Sequence, residues 1–203
     1  MKNLLVYLHG FGSHGYENLK FQKKLAKQLD AHLLSPQAEL ASGRARGGFG
    51  WYPISENWQH DLHSDWFVGQ QGLIYYDIKT KLKELKLDWN SVILSGRSQG
   101  AFMALKTALG GVIPQPKLVI SFNGYYIDKS LFQITNTNIP VLWGNSKYDQ
   151  VLSEDLKNSH TILSGKGINT KIMTLDNSNH DMLSLKDIRK IVVETKRIEV
   201  AQR

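Results

Sequence analysis

From Ser91 to Leu109 the chain reads SVILSGRSQGAFMALKTAL, an apolar run that ends in Gly-Arg-Ser-Gln-Gly and turns at once into a helical pattern. The run has the length of a buried strand, and Gln99 to Leu109 has the spacing of a helix. A strand that hands over to a helix this abruptly needs a tight turn. Side chains do not fit at the flanking positions of that turn, which accounts for Gly96 and Gly100. The turn pushes Ser98 out of the sheet. Ala101, Ala104 and Ala108 then let the helix lie close to the strand.

The same alternation runs along the whole chain. Strand-like runs are NLLVYL, AHLLSP, SVILS, KLVISF, IPVLWG and KIMTLD. Helical patterns fall over Tyr16 to Asp30, Phe67 to Leu87, Gln99 to Leu109, Ser153 to Leu163 and Met182 to Ile198. Ser153 is placed as an N-cap and Gly165 as a stop for the fourth of these. Strands alternating with helices argue for a parallel sheet covered on both faces. Residues 37–65 keep no sustained period and are rich in glycine and aromatics. A loop that long inside one domain usually has a function. With no internal repeat and no linker, the 203 residues read as a single domain, 1–203.

In a parallel sheet, function sits beyond the carboxyl ends of the strands, and Ser98 sits at such an end. Gly-x-Ser-x-Gly between a strand and a helix is the nucleophile elbow. It aims the first N–H groups of the helix at a reacting carbonyl, so the Gln99 N–H is the expected first oxyanion donor. A serine hydroxyl needs a histidine to take its proton and a carboxylate to orient that histidine. Downstream of Ser98 stand only His160 and His180. His160 falls inside a helical pattern, whereas His180 lies in the polar loop after KIMTLD, where an end-of-strand base belongs. For the acid, Asp149 follows the strand IPVLWG and is the best placed. Asp176 lies only four residues before His180, and Asp128 is the reserve candidate. Asp181 is expected to cap the last helix. After the first strand, His9-Gly10-Phe11-Gly12 turns sharply and offers the Phe11 N–H as a second oxyanion donor, with His9 pinning the loop.

Composition removes several alternatives. There is no cysteine, so disulfides, thiolate nucleophiles and Cys-based zinc sites are excluded, and a reducing, cytoplasmic setting is expected. Leu4 to Leu8 is shorter than a signal-peptide core and reads as a strand, and no run is long enough to span a membrane. The net charge of +7 comes from scattered lysines that form solvated helix faces. Weak contact with an anionic surface is compatible with that charge. RARGGFG (Arg44 to Gly50) matches no phosphate loop and no nucleic-acid module, so no nucleic-acid partner is expected. Trp51, Tyr52, Trp58, Trp66 and Phe67 are candidates for the wall of an acyl pocket, or for packing against the sheet. His60, Asp61, His63 and Asp65 cluster nearby, but that pattern is common in polar loops and no metal site is assigned.

Together these pieces resemble the α/β-hydrolase superfamily and, within it, the phospholipase/carboxylesterase family, which includes acyl-protein thioesterases. The matching stretches are LHGFGS, GFGWYPIS, GRSQGAFMAL, VISFNGYY, IPVLWGNSKYDQVL and SNHDM, in family order from residue 8 to residue 182. The resemblance implies an α/β-hydrolase fold with a mostly parallel sheet and no large lid domain. It implies Ser98 as nucleophile, Asp149 as acid, His180 as base, and the Phe11 and Gln99 N–H groups as oxyanion hole. It further implies small-molecule or acylated-protein esters or thioesters as substrates, and no metal or organic cofactor. Lipase, peptidase or acyltransferase chemistry on the same fold, or a non-catalytic scaffold, are the alternatives. The residue before the nucleophile is usually aromatic or histidine in this family. Here it is Arg97, which either pairs with an acid or recognises an anionic group on the substrate.

Overall fold

The computed structural model describes residues 1–42, 47–55, 60–61, 65–127 and 133–201. Trp58, His63, Asp128 and part of the Arg44 to Gly50 segment lie outside them. Six strands form one sheet: β1 (Asn3–Leu8), β2 (Ala31–Leu34), β5 (Val92–Arg97), β6 (Leu118–Phe122), β7 (Val141–Tyr148) and β8 (Thr170–Asn179). Their order is β2-β1-β5-β6-β7-β8, and every pairing is parallel. Two short strands, β3 (Leu40–Ala41) and β4 (Phe49–Gly50), pair antiparallel within the long loop.

Alternation along the strands divides the core. Leu4, Val6 and Leu8 of β1 face one side, with α2 (Asp65–Leu85) and α3 (Gln99–Leu109). Leu5 and Tyr7 face the other, with α1 (Leu19–Gln28) and α6 (Ile188–Ala201). Burial on both faces explains why these strands read as unbroken apolar runs.

The chain runs outward from β1 to β2, then returns to lay β5 on β1's other edge. This reversal makes the β1/β5 boundary a topological switch point, where the loops beyond the strand ends part to leave a crevice. Leu8 pairs with Gly96, so the loops after β1 and β5 start at the same level. Farther along, Tyr148 pairs with Asn179 after an irregularity in register, which brings Asp149 and His180 side by side.

Two helices differ from the sequence expectation. The pattern from Ser153 to Leu163 is broken into α4 (Glu154–Lys157) and α5 (His160–Gly165). Between them the Ser159 hydroxyl donates to the Leu156 carbonyl (2.6 Å) and accepts from the Tyr126 N–H (2.8 Å), competing with the helical ladder. Ser153 does cap α4, accepting from the Leu156 N–H. α6 begins at Ile188, not near Met182, because local turns hold the preceding residues. Asn179 Oδ1 accepts from the Asp181 and Met182 N–H groups, and Asp187 accepts from the Asn177 N–H and the Ser178 hydroxyl. Asp181 therefore caps no helix.

The handover from β5 to α3 leaves no room for side chains. A β-carbon at Gly96 would collide with the Gly100 carbonyl, and one at Gly100 with the Leu8 and His9 carbonyls. These obstacles are backbone and cannot swing aside. Gly100→Ala is expected to lower stability by about 2–3 kcal/mol, read from urea unfolding. A loss no greater than that of Gly69→Ala, where a β-carbon meets nothing within 4 Å, would contradict this packing.

Candidate active site

Ser98 lies between β5 and α3 with φ 51° and ψ −118°. A non-glycine residue in this region costs on the order of 1–3 kcal/mol and persists only where its surroundings enforce it. Here the Ser98 N–H donates to the Phe122 carbonyl (2.9 Å), and its carbonyl accepts from the Phe102 N–H (3.1 Å). The strained turn leaves the hydroxyl facing a cleft.

Two other strand ends meet that hydroxyl. His180, just past β8, places Nε2 3.1 Å from Ser98 Oγ and Nδ1 2.8 Å from Asp149 Oδ2. Asp149, just past β7, is buried, and its other oxygen accepts from the Val151 (2.8 Å) and Leu152 (3.1 Å) N–H groups. Burial alone would raise its carboxyl. The hydrogen bond and charge of His180 and those two N–H groups outweigh it and hold the carboxyl below its ordinary value. An ionised Asp149 can only accept, so the proton between them sits on His180 Nδ1, and in the neutral imidazole Nε2 is then the acceptor toward Ser98. Asp176 instead lies on β8, exposed, with Lys190 2.9 Å away. His160 begins α5, its ring against Trp143.

The loop after β1 is held from several directions. His9 is fully buried, with Nδ1 donating to the Gly10 carbonyl (2.8 Å) and Nε2 accepting from the Ala38 N–H (3.1 Å). Burial lowers its pKa, so it stays neutral and serves as a pin. Gly12 N–H donates to Phe49 of β4 (2.9 Å). Phe11 and Gln99 both line the cleft beside Ser98. Gln99 stands in the first turn of α3, whose N–H groups have no acceptor within the helix. Its side chain accepts from the Trp51 N–H (2.8 Å) and donates to the Tyr52 carbonyl (2.8 Å), fixing the long loop against the elbow.

Trp51 and Tyr52 do not line the cleft. Trp51 is buried with Nε1 donating to the His9 carbonyl (2.8 Å), and Tyr52 packs against Phe67 and Phe102. Their polar atoms are taken up by the protein, so they back the site and do not wall it. Trp66 is half exposed on α2, outside the cleft lining. The cleft, about 310 Å³, is lined instead by Phe11, Ile54, Tyr125, Val151, Leu152 and Leu156, with His60 at its polar end. There the Tyr52 and Tyr125 hydroxyls lie 2.8 Å apart, and both approach His60 Nδ1. Among the described residues no His, Asp and Glu side chains group as metal ligands.

Arg97 also borders the cleft, but its guanidinium is committed to protein acceptors. It forms a fork with Glu17 (Nε to Oε1 3.0 Å, Nη2 to Oε2 2.7 Å). Its Nη1 donates to the His180 carbonyl (3.0 Å) and to Asp181 Oδ1 (3.3 Å). Of the two readings of Arg97, the pairing with an acid is the one observed. Asn123, which no motif singles out, also holds His180. Its Nδ2 donates to the carbonyls of Asn179 (2.9 Å) and His180 (3.2 Å), and its Oδ1 accepts from the Ser146 N–H (2.7 Å).

A model of the phospholipase/carboxylesterase family matches residues 1–192. The chain belongs to this family. A curated relative, acyl-protein thioesterase 1 homolog 1 of Dictyostelium discoideum, is 25% identical over 185 residues, covering 87% of this chain and 82% of the relative. Among solved structures, esterase PE8 superposes with a TM-score of 0.81 at 23% identity, covering 97% of this chain and 93% of that one. The Bacillus cereus carboxylesterase gives 0.76 at 19% identity, covering 97% and 89%. The fold is thus that of the α/β-hydrolases, and family members are esterase-type hydrolases. No helix among the described residues is long and apolar enough to cross a membrane.

Glu17, like Asp149, has a carboxyl that burial would raise but that Arg97 holds below its ordinary value by charge and hydrogen bonds. A depressed carboxyl contributes stability that is full above its unfolded pKa, about 4.3 for Glu, and lost as pH falls through the folded value. The Glu17 contribution to the urea midpoint, read as the difference between wild type and Glu17→Gln, is therefore expected to be level from about pH 6 to 5 and to shrink below about pH 4. Glu17→Gln is expected to be less stable at neutral pH and to show a shallower acid fall. An unchanged acid slope would remove Glu17 as a contributor.

Proposed function

We infer that this protein is a serine hydrolase that cleaves carboxylic esters or thioesters through an acyl-enzyme, acting from one domain without a large lid. The observation that carries this reading is the unbroken relay from Asp149 through His180 to Ser98, at 2.8 and 3.1 Å, on the floor of an apolar cleft.

Ser98 Oγ attacks the acyl carbonyl while His180 Nε2 takes its proton, and Asp149 stabilises the imidazolium that forms. The carbonyl π pair moves onto oxygen, and that oxyanion is received by the Phe11 and Gln99 N–H groups. Collapse of the tetrahedral adduct breaks the bond to the leaving alkoxide or thiolate, which is protonated by His180. Water, deprotonated by the same histidine, attacks the acyl-enzyme and releases the acid, restoring Ser98. The apolar lining suits an acyl chain, and its exclusion of water strengthens each of these electrostatic contacts. Arg97, committed to Glu17, Asp181 and the His180 carbonyl, gives no basis for selecting anionic substrates.

Ser98→Ala is expected to lower turnover of p-nitrophenyl acetate by about 10³-fold or more. Retained turnover in that variant would refute the assignment. A panel of esters, thioesters and amides of increasing acyl length tests the substrate class. Amide cleavage exceeding both ester and thioester cleavage would point to a peptidase instead.

A further inference from the structure

We propose that the buried Arg97–Glu17 pair is a positioning clamp that sets the base, the nucleophile and the oxyanion loop relative to one another, an inference that rests on the serine-hydrolase reading above. The side chains are only 5% and 7% exposed. Burying two charges is costly, and a buried ion pair often adds little net stability over an apolar pair of the same volume. What distinguishes this pair is where its hydrogen bonds end.

Each end is one residue from a proposed catalytic group, or on one. Glu17 Oε1 accepts from the Gly10 N–H (3.0 Å), the residue before the oxyanion donor Phe11. Arg97 precedes Ser98 in the chain. Its Nη1 donates to the backbone carbonyl of His180 itself (3.0 Å). The contact with the oxyanion loop is also steric. A β-carbon on Gly10 would lie 2.8 Å from Arg97 Cζ, so the guanidinium rests against the bare α-carbon of that loop. Three loops that leave β1, β5 and β8 are therefore tied through one planar group.

Arginine suits the task because its fork engages a carboxylate with one edge and still presents Nη1 to a second acceptor. A lysine ammonium has no such fixed fork. Asn123 also donates to the His180 carbonyl, but among the described residues its hydrogen bonds run to Asn179, His180 and Ser146, not to Gly10 or Glu17. Without the clamp, His180 keeps one backbone tether and loses its link to the oxyanion loop. Misplacement by about 1 Å can cost on the order of 100-fold in rate.

The test is steady-state hydrolysis of p-nitrophenyl acetate by wild type, Arg97→Lys and the double variant Glu17→Gln/Arg97→Met, at a temperature where thermal unfolding shows each to be folded. Lys190→Ala, which breaks the exposed pair with Asp176, is the control and is expected to match wild type. The clamp predicts that kcat falls about 10- to 100-fold in the double variant while KM stays within about threefold, with Arg97→Lys intermediate. A pair that only stabilises the fold would lower the unfolding temperature and leave kcat intact in the folded protein. That result, or a loss confined to KM, overturns the proposal. Should the double variant fail to fold, Arg97→Lys, which keeps the buried charge, decides by the same kcat criterion. Absence of turnover in wild type would instead refute the serine-hydrolase reading, and the clamp with it.

Discussion

α3 lies against the ends of β1 and β5 because neither Gly96 nor Gly100 carries a β-carbon, and the remaining architecture of the site is built on that contact. The close approach forces Ser98 into a backbone conformation that a free chain would avoid. It also points the first turn of α3 into the crevice at the sheet's switch point, where the loop after β1 stands opposite. Parallel pairing does the rest. Since all six strands run the same way, the residues just past β1, β5, β6, β7 and β8 gather on one rim. The proposed catalytic set, from Phe11 to His180, is brought together largely by sheet register.

The rim is polar but buried, which decides how its charges behave. Asp149 accepts two backbone N–H groups as well as His180, so its charge is satisfied before any substrate arrives. Arg97 and Glu17 form a second charge-compensated unit, joined to the first through the His180 carbonyl and the neighbouring Asp181. Leaving either unit half-paired would strand a charge in a low-dielectric setting, at a cost of about 3–5 kcal/mol. Glu17 therefore couples stability to pH. The pre-satisfied state of Asp149 leaves little reorganisation for the proposed reaction.

Much of this was legible in the sequence because the signals are local. The elbow needs two glycines, a serine and a strand-helix junction within ten residues, and apolar runs mark the buried strands. His180 and Asp149 could be ranked because each follows a strand by a few residues. What was not legible depends on partners far apart in the chain. Nothing near Arg97 announces Glu17, 80 residues earlier, and nothing near Asn123 announces the His180 carbonyl. Trp51 and Tyr52 have the side chains of a pocket wall, yet their polar atoms find partners inside the protein, which only coordinates reveal. β7 and β8 run on past the apolar runs IPVLWG and KIMTLD, and α6 starts later than the helical pattern, for a related reason. There the backbone is ordered by pairing and by Asn179 and Asp187 turns, not by apolar periodicity.

The claim at the centre is that Ser98 is made nucleophilic by an imidazole brought to it from the far end of the sheet. Reaction of the native protein with a fluorophosphonate, followed by mass-spectrometric mapping of the adduct, tests this most directly. A single adduct on the peptide containing Ser98, with labelling slowed by orders of magnitude in His180→Ala, is the predicted result. An adduct on a different residue, or labelling of Ser98 at an equal rate without His180, would contradict it.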